Sequence, residues 1–361
     1  MSADTVDLSE FHGELGQVAR DLLASGEPGE RVDWQLIAGA GWLGLEAPAR
    51  LDGADATFAE VAVILREMGR AASAGPYPGV AGLSVGALAL LAPSDTRDAL
   101  FRDTAAGSTV PVLALDGQGR AAESFRLERR GGDLRLYGSA SFVLDAPTAD
   151  RLLVPALDPD GSAVVVDVDP AALAGTTQPV VDTTRSFGTV VAQDVAVHDE
   201  QVWSFGIDPR RASELLDARA AVAVACDSLG VSEAMMDATV RYAGVREQFG
   251  RKIGSFQAVK HACADMLVQV TIARKLVLAA ADKVSEAAPD APVAAAMAKS
   301  YAGAAAVDIV GKAMQLHGGI GYTWESGVHR YLKRATLNRS LHGSPTACRR
   351  LLAQRYRGWA G

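Results

Sequence analysis

Between Tyr242 and Met266 the chain reads YAGVREQFGRKIGSFQAVKHACADM. Arg246 is followed by a Phe–Gly pair, Phe249 and Gly250, and then by Phe256 and Gln257 at the opening of an amphipathic run. A guanidinium can fork onto a pyrophosphate, and a second helix starting here would begin with free backbone N–H groups that favour an anion. The aromatic ring can cover a flat heterocycle, and the amide can bond its edge. The same residues would also serve a plain helix–turn–helix with a solvated Arg and a core Phe. A second stretch bears on that choice. Residues 315–322 read QLHGGIGY, with three glycines in four residues at the end of an Ala-rich run. Such a segment lets a backbone approach a ligand closely.

The two motifs, YxxxRxxFGxxIxxFQ and then QxxGGxGY about sixty residues later, resemble the C-terminal domain of the acyl-CoA dehydrogenase flavoproteins. The resemblance extends over nearly the whole chain, and the ordered pair is far more specific than a lone Gly-rich loop. It implies that Arg246, Gln248, Phe249, Gln257, Gln315, Gly318 and Gly319 contact the pyrophosphate and adenosine end of an FAD held by a neighbouring subunit. The family reaction it implies is α,β-desaturation of an acyl-CoA thioester. A carboxylate removes the α-proton, while the β-hydrogen leaves as hydride to the flavin.

Against that family pattern several positions depart. The A-x-T-E-P-x-x-G-S-D loop is replaced by VLALDGQGRAAES, with Asp116 followed directly by Gly117. The aromatic-Ile-Thr whose hydroxyl bonds the flavin edge is Phe142-Val143-Leu144, and Leu144 has no hydrogen-bonding group. The Y-E-G-T segment that carries the catalytic Glu reads Leu341-His342-Gly343-Ser344. By this resemblance His342 stands at the base position, and Ser344, at the Thr, is a further expected FAD contact. An imidazole can act as a general base, and the residue 342 N–H could polarise a thioester carbonyl without any particular side chain. The family's second base position falls on Ala220, with Ala221 at the accompanying Arg. Arg219, Asp217 and Glu214 lie nearby, but a two-residue shift rotates a side chain about 200° around a helix. His12, His198, His261, His317 and His329 show no metal-ligand spacing.

The elements that would position these residues fall into three blocks. Residues 1–110 are predicted to be helical, with helices over 8–23, 34–44 and 57–71 separated by Gly and Pro. Residues 111–208 carry short β-branched runs, among them VPVLALDG, SFRLERRG, LRLYGSASFVL, DRLLVPAL and SAVVVDV. Residues 209–361 return to long Ala-rich helices over 214–248, 256–286, 291–315, 327–334 and 346–355. Helices, then strands, then helices imply an α+β multidomain chain: an N-terminal α-helical domain, a middle β-barrel-like domain and a C-terminal four-helix bundle.

Composition sets the outer limits. The chain has 361 residues, enough for more than one core. Its net charge of −8 argues against nucleic-acid or anionic-membrane binding. Its three Cys lack CxxC spacing, which argues against a zinc site or disulfide framework and fits a cytoplasmic setting. The acidic N-terminus has no apolar signal core, and residues 80–91 are too short an apolar run to span a bilayer.

The expectation is an FAD-dependent acyl-CoA dehydrogenase that acts as the non-catalytic subunit, completing the FAD site of a sister chain in an α2β2 heterotetramer. The resemblance is to the two-gene actinobacterial enzymes of sterol side-chain degradation, which implies a steroid-CoA substrate and an electron-transfer acceptor. Two alternatives remain: a self-sufficient homo-oligomer using His342 as base, and a flavin-free scaffold or binding protein of the same fold.

Overall fold

The computed structural model describes residues 9–24, 29–118 and 125–356. The first block contains α1 (Ser9–Leu23), α2 (Trp34–Gly39), α3 (Phe58–Arg70), α4 (Tyr77–Gly79), α5 (Val85–Leu90) and α6 (Asp95–Ala105). The helix predicted over 34–44 breaks after Gly39, because Gly41 adopts a left-handed φ of 74° before a 3-10 turn at Trp42–Gly44. Helix α3 opens with a reciprocal capping box between Thr57 and Glu60, which satisfies two free N–H groups. Between α4 and α5 the apolar run takes a π turn, Val80–Ser84, and is buried throughout.

The middle block is one sheet of seven strands: β1 (Pro111–Leu113), β2 (Phe125–Arg130), β3 (Asp133–Leu144), β4 (Arg151–Leu157), β5 (Ala163–Val168), β6 (Phe187–Val197) and β7 (Val202–Ser204). The order is β6-β3-β2-β4-β5-β7, with β1 parallel to β4. β6 and β7 stand at opposite edges, so the barrel-like sheet is not closed. Register shifts in β3 against β6, at Leu136/Gly138 and Ala140/Val143, bend it. Alternating residues such as Leu127, Leu136, Val154 and Val166 form a core separate from that of the helices.

The last block contains α7 (Pro209–Val245), α8 (Gln257–Ser285), α9 (Ala291–His317), α10 (Val328–Ser340) and α11 (Pro345–Tyr356). Between α7 and α8 lies a two-stranded hairpin, β8 (Glu247–Gln248) and β9 (Arg251–Lys252). Helix α7 crosses α3 closely. A Cβ on Gly69 would overlap the carbonyl of Asp227, and one on Gly230 that of Arg66. Helix α10 runs six residues beyond the predicted 334, which fixes where the loop bearing His342 begins. By length and composition the stretch Ala291–Tyr322 could cross a membrane, but 61% of its apolar window is buried inside the molecule. α9 is the central helix of this block.

Candidate functional site

The residues singled out in the sequence sort into two places with opposite character. The first is an open end formed by the α7–α8 hairpin and the turn after α9. Helix α7 stops at Val245, and Arg246 takes an extended conformation. Phe249 and Gly250 form the hairpin tip, both with positive φ (53° and 75°), as a two-residue hairpin turn requires. Phe249 is 92% exposed, and Arg246, Gln248, Gln257, Gln315, Gly318 and Gly319 are all exposed as well. The two motifs are joined by Tyr242, whose ring stacks on His317 at 4.4 Å and whose hydroxyl donates to the His317 carbonyl at 3.3 Å. Gly318 has φ 62° and ψ −142°, a conformation essentially confined to glycine. A Cβ placed on Gly318 or Gly319 would meet nothing within 4 Å. The chain's own packing therefore leaves the space above these glycines open, which suits the backbone approach of a dinucleotide.

The second place is a narrow cleft between the three blocks. Its walls include Pro78, Leu83, Leu144, Ala220, Ala223, Val224, Leu341 and His342. Leu144 at the flavin-edge position, Ala220 at the alternative base position and His342 at the base position thus meet around one cavity. That cavity holds only about 30 Å³, roughly the room for a water or two.

Main-chain contacts tie down the loop on its His342 side. The His342 N–H donates to the Gly117 carbonyl at 2.8 Å, so it is not free to polarise a thioester, contrary to the role the sequence left open for it. Gly117 itself donates to Ser141 O at 3.0 Å, and a Cβ there would overlap Phe142 O. The loop at the family's T-E-P position is thereby pinned against the loop bearing His342. Asp116 holds its end of this arrangement by accepting from the backbone N–H groups of Gln118 (2.8 Å) and Ser141 (3.3 Å). Phe142 sits on a bulge at φ 51°. The Ser344 hydroxyl is used locally, accepting from Ala347 N at 3.2 Å as the cap of α11.

His342 keeps part of its edge accessible, but its imidazole pKa is pushed down to about 4 by burial and then by the nearby Lys299 ammonium. It is neutral near pH 7 and a weak base. Lys299 is itself fully buried, donating to Gly343 O at 2.8 Å and Arg339 O at 3.3 Å, and burial lowers its pKa to about 8.

Two features of the cleft had no counterpart in the sequence reading. One is a buried ionic cluster. Arg334 donates to Asp182 Oδ2 (2.6 Å), Asp227 Oδ1 (3.0 Å), Ser73 O (3.0 Å) and the Thr184 hydroxyl. Arg185 also donates to Asp227 (2.8 Å), and Asn338 to Asp227 Oδ2 (2.6 Å). One fully buried guanidinium thus ties together all three blocks.

The other is Asp145, buried at φ 60°, whose Oδ2 has no hydrogen-bond partner. Burial raises its pKa to about 7, against the opposing pull of Arg185, Arg31 and Arg334. The fold holds this proton more tightly than the unfolded chain does. The group's contribution is therefore fully present below the ordinary carboxylate value and lost as pH rises toward 7. Asp145→Asn, which tolerates the left-handed backbone, is expected to remove that loss, on the order of 1 kcal/mol per pH unit across the window. The thermal midpoint of the variant relative to the parent should shift in the variant's favour between pH 4.5 and pH 8. An unchanged difference would show that Asp145 does not titrate there.

Among the described residues no group of three or more His, Cys, Asp or Glu could hold a metal ion.

The family models for the acyl-CoA dehydrogenase N-terminal domain and C-terminal domain match residues 11–108 and 212–356. The acyl-CoA dehydrogenase IpdE2 of Mycobacterium tuberculosis is 30% identical over 327 residues, covering 90% of this chain and 87% of that one. This chain belongs to the acyl-CoA dehydrogenase family. Its relatives are FAD-dependent oxidoreductases acting on CH–CH bonds. Among solved structures, the ChsE4–ChsE5 complex of Mycobacterium tuberculosis superposes with TM-score 0.86 at 26% identity, over 98% of both chains. A Tcur3481–Tcur3483 steroid ACAD superposes with TM-score 0.85 at 27% identity, over 98% of this chain and 100% of that one. The resemblance to actinobacterial steroid-type acyl-CoA dehydrogenases read from the sequence thus holds.

Proposed function

We propose that this acyl-CoA dehydrogenase chain is the non-catalytic subunit of a heteromer and completes the FAD site of a sister chain. The observation that carries the reading is the contrast between its two sites. The motif end is open and exposed, whereas the chain's own cleft holds only about 30 Å³, and the N–H of His342 beside it is bonded to the Gly117 carbonyl. The donor set fits a dinucleotide: a free guanidinium at Arg246, an exposed ring at Phe249, amides at Gln248, Gln257 and Gln315, and open backbone at Gly318 and Gly319. When bound, FAD supplies acceptance of the hydride that leaves the acyl β-carbon. In this reading the chain holds the pyrophosphate and adenosine, and the sister chain supplies the base and the acyl pocket. The steroid ACAD and the two-component ChsE4–ChsE5 complex among its structural neighbours support a steroid-CoA substrate and a heteromeric assembly; an α2β2 stoichiometry and an electron-transfer acceptor complete the proposal.

Flavin per chain, measured after purification alone and with the sister chain, tests this reading. We expect little flavin alone and one FAD per pair together. A yellow single chain that turns over an acyl-CoA would replace it with the self-sufficient enzyme using His342. Failure to retain FAD in either state would favour the flavin-free scaffold. His342→Ala in the heteromer is expected to leave turnover within about twofold. A general base contributes roughly 10²–10⁴-fold, so a hundredfold fall in kcat would place the chemistry on His342.

A further inference from the structure

Beside the narrow cleft, Arg219 and Glu46 make a buried ion pair whose guanidinium lies between α7 and the π turn. Arg219 precedes Ala220 in sequence, and Gly82 precedes Leu83; both Ala220 and Leu83 line the cleft. The guanidinium donates from Nε to Gly82 O at 2.7 Å, from Nη2 to Ala81 O at 2.8 Å, and from Nη1 to Glu46 Oε1 at 2.8 Å. Its Nη2 also bonds Glu46 Oε2, and it lies 4.2 Å from the centre of the Phe58 ring. The side chains are only 7% and 10% exposed. Room for the guanidinium exists because residue 86 is glycine; a Cβ there would overlap Arg219 Nε. Burying two charges is expensive, and well-packed apolar residues of similar volume are often as stable or more so. Stability alone therefore does not explain an ion pair in this slot. The neighbouring wall at Leu83, Ala220, Ala223 and Val224 is apolar and would otherwise suit a hydrocarbon.

We propose that the Arg219–Glu46 pair is a plug, occupying the space between α7 and the π turn beside the cleft so that this chain admits no acyl chain of its own. The inference rests on the non-catalytic reading and deepens it. The charges make this space unsuitable for hydrocarbon, because an entering chain would have to displace a guanidinium bonded to Gly82 O, Ala81 O and Glu46 and lying over the Phe58 ring. The plug also keeps acyl-CoA directed to the sister chain's pocket.

The test uses the full chain in the assembly in which it purifies, titrated calorimetrically with decanoyl-CoA. The opened variant is Arg219→Ala/Glu46→Ala. The control, Arg219→Met/Glu46→Gln, removes the charges but keeps the bulk. The opened variant is expected to gain one decanoyl-CoA site per copy of this chain, bound at least tenfold more tightly than by the control, whereas the parent shows none on this chain. Should the Ala pair not fold, Arg219→Val/Glu46→Leu retains more packing and carries the same expectation. A folded opened variant that binds no more tightly than the control overturns the plug. A parent that already binds one acyl-CoA per copy of this chain overturns the non-catalytic reading instead.

Discussion

Arg334→Ala is expected to destabilise the fold by about 3–5 kcal/mol, the usual consequence of removing one partner from a buried ion pair. The size follows from what is left behind. Asp182 is buried, and burial opposes its charge; the Arg334 guanidinium is the first of the groups that hold its pKa below the ordinary value. Without it that carboxylate loses its principal counter-charge, and Ser73 O and the Thr184 hydroxyl each lose a donor. Asp227 suffers less, since Arg185 and Asn338 still reach it. At roughly 2–4 °C per kcal/mol for chains of 150–250 residues, and the lower end of that for a chain of 361, the thermal midpoint should fall by about 6–10 °C. Arg334→Lys should recover only part of this, because an ammonium cannot fork onto two carboxylates and a carbonyl at once. A fall of less than 2 °C for the alanine variant would mean that water enters and replaces the guanidinium.

Arg246→Ala is the corresponding test at the open end. Among the described residues its guanidinium makes no hydrogen bond or ion pair, and the residue is exposed. Its removal should leave the chain's own stability unchanged within experimental scatter. In the assembly with a sister chain, a buried pyrophosphate would lose a charge-assisted bond worth about 1.5–3 kcal/mol, so FAD should bind roughly ten- to hundredfold more weakly. Flavin absorbance per heteromer after gel filtration reads this directly. Full flavin retention would remove Arg246 from the cofactor site, and a loss of stability in the chain alone would make its role structural.

Much of the architecture was legible because its signals are local. Apolar spacing marked α1, α3 and the long helices of the last block, and β-branched runs marked β1 to β5. Phe187–Val197 and Val202–Ser204 were not singled out. Their character comes from pairing with β3 and β5, far away in sequence. The hairpin between α7 and α8 starts where the spacing predicts the end of a helix over 214–248, although Phe-Gly at two positive-φ positions supports a strand pair. The ionic cluster was missed because periodicity treats charged residues as surface. Yet Val328, Tyr331, Ala335 and Asn338 form one buried stripe of α10, with Arg334 beside Ala335 within it. A polar residue on an apolar face was the available clue. The size of the cleft was beyond reach from sequence, since it depends on three blocks meeting.

The bond from His342 N to Gly117 O carries a lesson for anyone hoping to revive chemistry in this polypeptide. Writing a glutamate at residue 342 would restore the acid on a loop whose N–H is already bonded to the Gly117 carbonyl, so the carboxylate would arrive on a segment still tied to the 116–118 turn. Reactivation would have to start by resculpting the 116–118 turn, with the carboxylate introduced last.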